Sequence, residues 1–149
     1  MKHEITTLVD TQYREKVDLD LCKRCAIEVL EMEGADSYTL SLVFTNQDRI
    51  QSLNLKYAGT DEPTDVLSFA NGIIDPTTGR ISFGDVIIAV PLAEANASSQ
   101  NRELAEELAL LVIHGVLHLL GFDHASPEDK RAMWDKQSTV LTKLGMMNE

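Results

Sequence analysis

The segment that decides the fold runs from residue 108 to residue 124 and reads LALLVIHGVLHLLGFDH. Apart from its histidines and Asp123, it is apolar at every position. A helix that is apolar all round is buried in the middle of a domain. Gly121 adopts the left-handed conformation that ends a helix more readily than other residues do. We therefore expect one central buried helix that stops at Gly121, with the rest of the chain packed around it.

Outward from this helix, hydrophobic periodicity and turn residues predict alternating strands and helices. The expected strands are residues 3–9, 38–45, 65–70 and 81–90, the last two forming a hairpin with a long tip. The expected helices begin at Asp18 or Asp20, at Asn46, at Pro91 and at Ser126, and the third is broken near residues 98–101. These elements predict a single domain over residues 1–149 with an α+β fold, a small mixed sheet of about four strands packed with about five helices.

Three local features carry more specific expectations. Tyr57 falls on an apolar stripe with Ile50 and Leu53, and Trp134 falls on the apolar side of the last helix, so both are expected to pack inward. Asn71-Gly72 is a typical turn dipeptide. We expect it to lie in the connection between the third and fourth strands.

The composition is that of an acidic globular protein. Of the 149 residues, 44% are hydrophobic and 25% charged, and the net charge is −11. Such a charge disfavours non-specific binding to phosphate backbones or anionic lipid. The longest apolar run is shorter than the roughly 18 residues of a membrane span, and the first ten residues do not resemble an export signal. We expect a cytoplasmic location and no membrane partner.

The two cysteines, Cys22 and Cys25, form an isolated C-x-x-C pair. A structural zinc site would need a second pair. Because both cysteines share an apolar helical stripe with Ala26 and Val29, we expect them to be reduced and packed in the core.

Three of the four histidines lie within the deciding segment, at positions 114, 118 and 124. His114 and His118 are four residues apart, which places them on one helix face about 6 Å apart along the axis. After the turn at Gly121, His124 can reach the same point. Three imidazoles suit zinc and leave a coordination position open for water, which is typical of a catalytic site. Imidazole also binds nickel and other borderline ions, so the residues alone do not single out zinc.

The spacing H-x3-H-x2-G-x2-H also occurs in metzincin proteases, which carry a glutamate base directly after the first histidine. Here that position is Gly115. The sequence therefore argues against a protease.

The segment from His114 to His124 resembles the signature of the YbeY family of bacterial single-strand-specific metallo-endoribonucleases. Two further stretches carry the same resemblance: Leu53-Asn54 with Tyr57, Gly59 and residues 63–69, and residues 84–88. The resemblance implies one zinc ion per chain held by His114, His118 and His124. It implies an α+β fold and activity on single-stranded RNA, in 3′-end maturation of small-subunit ribosomal RNA and in ribosome quality control.

This chain departs from the family pattern at two positions. Ala58 stands where the family usually has arginine, and Ala70 stands where it usually has proline. An arginine near the metal would hold a phosphate or stabilise charge building on it. Its loss therefore either weakens nuclease activity or passes the role to Lys56, Arg49 or Arg80. Three roles stay open for Asp123: a turn residue, an orienting group for a ligand histidine, or a proton acceptor. Asp65 and Asp85 sit at strand starts, and the sequence does not assign either side chain to the metal.

The leading hypothesis is therefore a zinc-dependent endoribonuclease, with the general base and the substrate-binding residues unassigned. Its acidic charge predicts weak binding to free RNA and guidance by a ribosome or ribosomal-protein partner. Two alternatives stay open: a metal-dependent hydrolase of another class, such as a peptidase, and a non-catalytic ribosome-associated module whose metal only supports the fold.

Overall fold

Within the described residues, strands Glu4–Val9 (β1), Tyr38–Thr45 (β2), Val66–Ile74 (β3) and Ile81–Ala89 (β4) form one sheet in a computed structural model. The structure describes residues 3–35, 38–74, 76–77, 79, 81–123 and 125–146. The strand order is β1-β2-β4-β3, with β1, β2 and β4 parallel and β3 antiparallel to β4 at one edge. The expected mixed sheet is confirmed, and β3 and β4 form the expected hairpin.

Among the described residues, five α-helices accompany the sheet. They are Leu19–Met32 (α1), Gln47–Ala58 (α2), Val90–Ser99 (α3), Leu104–Leu119 (α4) and Pro127–Lys143 (α5). Three of them begin where a polar side chain accepts a hydrogen bond from the backbone N–H three residues on, namely at Asp18, Asn46 and Ser126. Such caps satisfy N–H groups that lack a partner inside the helix. The capping residues proposed from the sequence are confirmed, and the fold is α+β.

Helix α4 occupies the centre of the fold, as expected. It packs on β3 and β4 and is flanked by α1, α3 and α5. The side chains of Val112, Ile113, Val116 and Leu117 are fully buried. Burial of each such aliphatic side chain stabilises the folded state by about 1.5–3 kcal/mol. The histidines of α4 are therefore carried by one of the most firmly anchored elements of the molecule.

The opposite face of the sheet is covered by α2. Ile50 of α2 forms a small buried cluster with Val43, Ile87 and Ala89. Along β4 the neighbouring side chains of Val86 and Ile88 belong instead to the main core, because successive residues of a strand point to opposite faces. The sheet thus separates the space around α4 from the space around α2.

Both cysteines lie in the main core, as predicted. Cys22 and Cys25 are 1% and 0% exposed. Burial raises the pKa of each thiol to about 12. The thiols are therefore protonated at neutral pH and are packing groups, since reactivity requires the thiolate.

Three local expectations were wrong. Asn71-Gly72 lies within β3, where residues 71 and 72 together oppose residue 83 of β4 in a bulge. Pairing with β4 therefore overrides the local turn preference. Tyr57 and Trp134 are 61% and 44% exposed, so the outer ends of their stripes face solvent. No helix among the described residues is both long and apolar enough to cross a membrane.

Candidate metal centre and its cavity

The side chains of His114 and His118 lie side by side on consecutive turns of α4. Their Nε2 atoms are 3.0 Å apart, and their ring centroids are 4.6 Å apart with the planes at 74°. Two imidazole nitrogens bound to one tetrahedral zinc ion lie about 3.3 Å apart, given the usual Zn–N length. The two nitrogens are thus within a few tenths of an ångström of the separation that a shared ion requires.

Gln137 of α5 fixes the orientation of the first histidine. Its side-chain oxygen lies 2.8 Å from Nδ1 of His114, and Gln137 is 6% exposed. An amide oxygen only accepts hydrogen bonds, so Nδ1 carries the proton and Nε2 is the nitrogen left to bind a metal. The sequence analysis missed this residue. A signal was present, since Gln137 is a polar residue on the apolar side of α5, between Met133 and Val140.

The third predicted ligand, His124, lies outside the described residues. Among those that are described, no group of three histidine, cysteine or acidic side chains is placed to hold a metal. The chain leading to position 124 is described and turns as predicted: Gly121 has a φ of +101° and donates its N–H to the carbonyl of His118. Asp123 accepts a hydrogen bond from the N–H of Ala125 at 3.2 Å, which is the geometry of a turn-forming aspartate.

The histidine pair opens into a cavity of about 410 Å³ beside the edge strand. Strand β3 and the two residues before it form much of the wall, and Leu119 of α4 also lines it. The contributors before and within β3 are Thr64, Asp65, Val66, Leu67, Ser68 and Ala70. Asp65 is the acidic residue of this lining, and no lysine or arginine occurs among the lining residues that the structure describes. A substrate phosphate here therefore meets histidines and one carboxylate.

Asp65 is held by a partly buried polar network. Its Oδ2 accepts a hydrogen bond from the side-chain amide of Asn96 on α3 at 3.0 Å. Glu107 of α4 is 5% exposed and forms an ion pair with Arg102 at 3.2 Å. Burial raises the pKa of the Glu107 carboxyl, while Arg102 and a hydrogen bond from Asn96 oppose that shift. Asn96 thus links the cavity carboxylate to a buried acid one helix away, and sequence reasoning did not identify it.

Gly115 allows α4 to approach the sheet closely. A Cβ atom at this position would lie 2.5 Å from Cγ1 of Val86 and 3.3 Å from Oγ of Ser68. The Ser68 hydroxyl also donates a hydrogen bond to the carbonyl of Gly115 at 3.0 Å. A larger residue would therefore require Val86 of β4 to shift or the histidine helix to move away from the sheet.

The other polar residues considered from the sequence lie elsewhere. Asp85 and Arg49 line a second cavity on the α2 side of the sheet, and the Lys56 ammonium lies 5.2 Å from the Tyr57 ring centroid beside it. Arg80 lies outside the described residues. Neither Lys56 nor Arg49 is therefore among the described residues that line the histidine cavity.

The fold and the site together define a class of small α+β proteins in which a central helix presents two histidines to a cavity beside the edge of a mixed sheet. The family model described as "Endoribonuclease YbeY" matches residues 7–145. The chain therefore belongs to the endoribonuclease YbeY family, as the sequence motifs indicated, and it is a hydrolase that acts on RNA.

Curated relatives and a solved structure agree with this assignment. Endoribonuclease YbeY of Dehalococcoides mccartyi is 40% identical, over 93% of this chain and 88% of the relative. That of Pelotomaculum thermopropionicum is 42% identical, over 85% and 86% of the two chains. The solution structure of TM1509 from Thermotoga maritima superposes with a TM-score of 0.62 at 28% identity, covering 94% of this chain and 91% of that one.

Proposed function

We propose that this chain is a zinc-dependent endoribonuclease that cuts single-stranded RNA, acting in the cytoplasm on the 3′ end of small-subunit ribosomal RNA and in ribosome quality control. The observation that carries the proposal is the His114–His118 pair, with Nε2 atoms 3.0 Å apart at the wall of an open cavity. Membership of an endoribonuclease family supports the choice of RNA.

In this proposal His114, His118 and His124 hold one ion. Bound there, the ion would supply Lewis-acid chemistry: it would polarise a phosphoryl oxygen and lower the pKa of a water molecule. We assign Asp65 to accept the proton of the attacking water. Its carboxylate lines the cavity, and a hydrogen bond from Asn96 fixes one of its oxygens. A base of this kind contributes typically 10²–10⁴-fold to a rate.

The charge distribution supports a guided mode of action. The net charge is −11, and the described lining of the histidine cavity contains no cation. Binding to a free phosphate backbone depends on neutralisation by lysine and arginine. We therefore expect a ribosome or ribosomal-protein partner to deliver the RNA strand. Rapid cleavage of many unrelated unstructured RNAs by the free protein at physiological salt would contradict this part of the proposal.

The two alternatives differ from this proposal in measurable ways. A peptidase would cut unstructured peptides in a metal-dependent manner, but this chain has Gly115 where the metzincin proteases carry their glutamate base. A non-catalytic module would lose stability on metal removal and show no turnover with any substrate. Ala58, in place of the family arginine, is the feature that keeps the second alternative open.

The test combines metal analysis with an RNA cleavage assay. Metal content is measured on the purified protein, and cleavage is followed on a single-stranded RNA that spans the 3′ end of small-subunit ribosomal RNA, with and without ribosomes. The variants are His114→Ala and, as a control outside the cavity, His3→Gln. We expect one equivalent of zinc and metal-dependent cleavage in the unsubstituted chain and in His3→Gln, and loss of both in His114→Ala.

Each other result has a defined meaning. Bound metal without cleavage, even with ribosomes present, would favour the non-catalytic module. Cleavage of peptides but not RNA would favour the peptidase. Absence of bound metal from a protein purified without chelators would contradict the proposed site.

A further inference from the structure

A second cavity of about 600 Å³ lies on the α2 side of the sheet, on the face opposite α4. Its floor is apolar and consists of Val43, Leu53 and Ile87. Arg49 and Asp85 supply its polar groups. A concave apolar site with a few placed polar groups is the usual form of a binding pocket for a small planar group.

One wall of this cavity is aromatic. The Tyr57 and Phe69 rings meet edge to face, with centroids 5.3 Å apart and planes at 62°. Tyr57 is 61% exposed. It lies one helical turn after Leu53, which is partly buried against the Ile50 cluster. The packing with Phe69 holds the ring in place while leaving much of it open to solvent. Such a ring is a ready stacking platform for a nucleobase.

Cations lie at the rim of the cavity in an otherwise acidic protein. Arg49 keeps a side-chain exposure of 57%, and its contact with Asp10 is long, at 3.7 Å. An exposed ion pair of that length contributes little, so the guanidinium is available for a phosphate. The Lys56 ammonium lies 5.2 Å from the Tyr57 ring centroid. The cavity therefore has one cation in its lining, Arg49, and a second, Lys56, over the Tyr57 ring.

Asp85 gives the cavity a hydrogen-bond acceptor. A carboxylate accepts from an exocyclic amine, and an acidic side chain is the usual partner of the cytosine N4 amine. Uracil carries a carbonyl oxygen at the corresponding position, which a carboxylate repels. Asp85 therefore predicts a preference for amine-bearing bases over uracil.

Strand β3 connects this cavity to the histidine cavity. Ala70 contributes to the lining of both. A single RNA strand that crosses the sheet edge at Ala70 would thus contact both cavities.

We propose that the cavity beside Tyr57 binds one nucleobase of the RNA strand whose phosphodiester lies in the histidine cavity, and that it selects bases with an exocyclic amine. The base stacks on Tyr57, its amine donates to Asp85, and its phosphate contacts Arg49 and Lys56. This inference rests on the proposed function, because it takes single-stranded RNA as the substrate. It assigns Arg49 and Lys56 to substrate binding away from the metal.

The test is equilibrium binding of fluorescein-labelled hexacytidylate and hexauridylate to the full chain as purified, measured by anisotropy in low salt, with gels that verify that the oligonucleotides stay intact. The variants are Tyr57→Ala, Tyr57→Phe and Asp85→Ala. Leu55→Ala is the matched control, because Leu55 is an exposed apolar residue of the same helix, at 49%, and does not line the cavity. Thermal melts verify that every variant is folded.

We expect Tyr57→Ala to weaken hexacytidylate binding by roughly tenfold, the effect of losing one stacked base. Tyr57→Phe keeps the ring and binds within about twofold of the unsubstituted chain, and Leu55→Ala is unchanged. Asp85→Ala should remove the difference in affinity between hexacytidylate and hexauridylate. A loss in Tyr57→Ala no greater than in Leu55→Ala overturns the inference, as does equal affinity of the unsubstituted chain for both oligonucleotides.

The cleavage assay on ribosomal RNA separates this inference from the proposed function. Metal-dependent cleavage together with binding that is insensitive to Tyr57 contradicts the nucleobase site and leaves the nuclease proposal intact. Tyr57-dependent binding without cleavage supports the nucleobase site and contradicts the nuclease proposal. Absence of both binding and cleavage in the unsubstituted chain overturns both.

Discussion

The side-chain oxygen of Gln137 lies 2.8 Å from Nδ1 of His114, across the interface between α5 and α4. This contact joins the helix that carries the candidate metal ligands to the last helix of the fold. It sets which imidazole nitrogen is protonated and which faces the cavity. Partners of this kind raise metal affinity, because they orient the ligand ring before the ion binds.

Replacement of Gln137 by leucine should therefore lower zinc affinity by about 10–100-fold. Affinity is measured by competition with a chromophoric chelator on the metal-free protein. Gln137→Glu keeps an acceptor oxygen at the same distance from the backbone and should retain most of the affinity. If the leucine variant binds zinc as tightly as the unsubstituted chain, the orienting role of Gln137 is wrong.

The close packing of Gly115 against Val86 gives a second prediction. Because an added Cβ would lie 2.5 Å from Cγ1 of Val86, Gly115→Ala should lower the free energy of unfolding by about 1–3 kcal/mol. Urea denaturation measures the change. Val86→Ala removes the clashing methyl groups, so the double variant should lose at least about 1 kcal/mol less than the sum of the two single losses. Simple additivity would show that the contact is not what requires glycine.

Much of the fold could be predicted from the sequence because its signals are local. Asp18, Asn46 and Ser126 cap helices through hydrogen bonds that span three residues, so the chain near each cap is sufficient to recognise it. The shared face of His114 and His118 follows in the same way from helical periodicity. These features need no knowledge of the rest of the structure.

The features that escaped prediction depend on contacts between distant segments. Asn71-Gly72 reads as a turn until the pairing of β3 with β4 places it in a bulge. Asp65 and Asp85 look alike in the sequence, yet only the sheet arrangement directs them to different cavities. The contact of Asn96 with Asp65 spans 31 residues. No local pattern encodes such a pair.

Glu107 predicts a specific pH dependence of stability. Burial raises the pKa of its carboxyl above the ordinary value of 4.5, so the folded state binds this proton more tightly than the unfolded state does. Its contribution to stability is therefore fully present below pH 4.5 and is lost as the pH rises through the raised value. The carboxyl is 5% exposed, which makes this loss resistant to salt.

The measurement is the free energy of unfolding as a function of pH for the unsubstituted chain and for Glu107→Gln. The difference between the two should shift in favour of Glu107→Gln as the pH rises from 4.5. Glu62→Gln, which removes an exposed carboxyl, is the control and should show no such shift. A difference that moves in the opposite direction would mean that the ion pair with Arg102 lowers the pKa of the Glu107 carboxyl by more than burial raises it.

The hydrogen bond from Asn96 to Asp65 predicts an effect on catalysis that is separate from metal binding. If Asp65 accepts the proton in RNA cleavage, its carboxylate needs a fixed direction. Asn96 supplies that direction by donating to Oδ2 at 3.0 Å.

Asp65→Asn removes the acceptor and should lower the cleavage rate by about 10²–10⁴-fold. Asn96→Ala leaves the acceptor in place but free to rotate, so the loss should be smaller, about tenfold. Both variants should bind zinc with little change in affinity, since neither Asp65 nor Asn96 is one of the proposed ligands. Ser98→Ala, an exposed change on the same helix, is the control and should cut RNA at the normal rate. Equal rates in Asn96→Ala and Ser98→Ala would remove Asn96 from the mechanism, and retained cleavage in Asp65→Asn would assign proton transfer to a group other than Asp65.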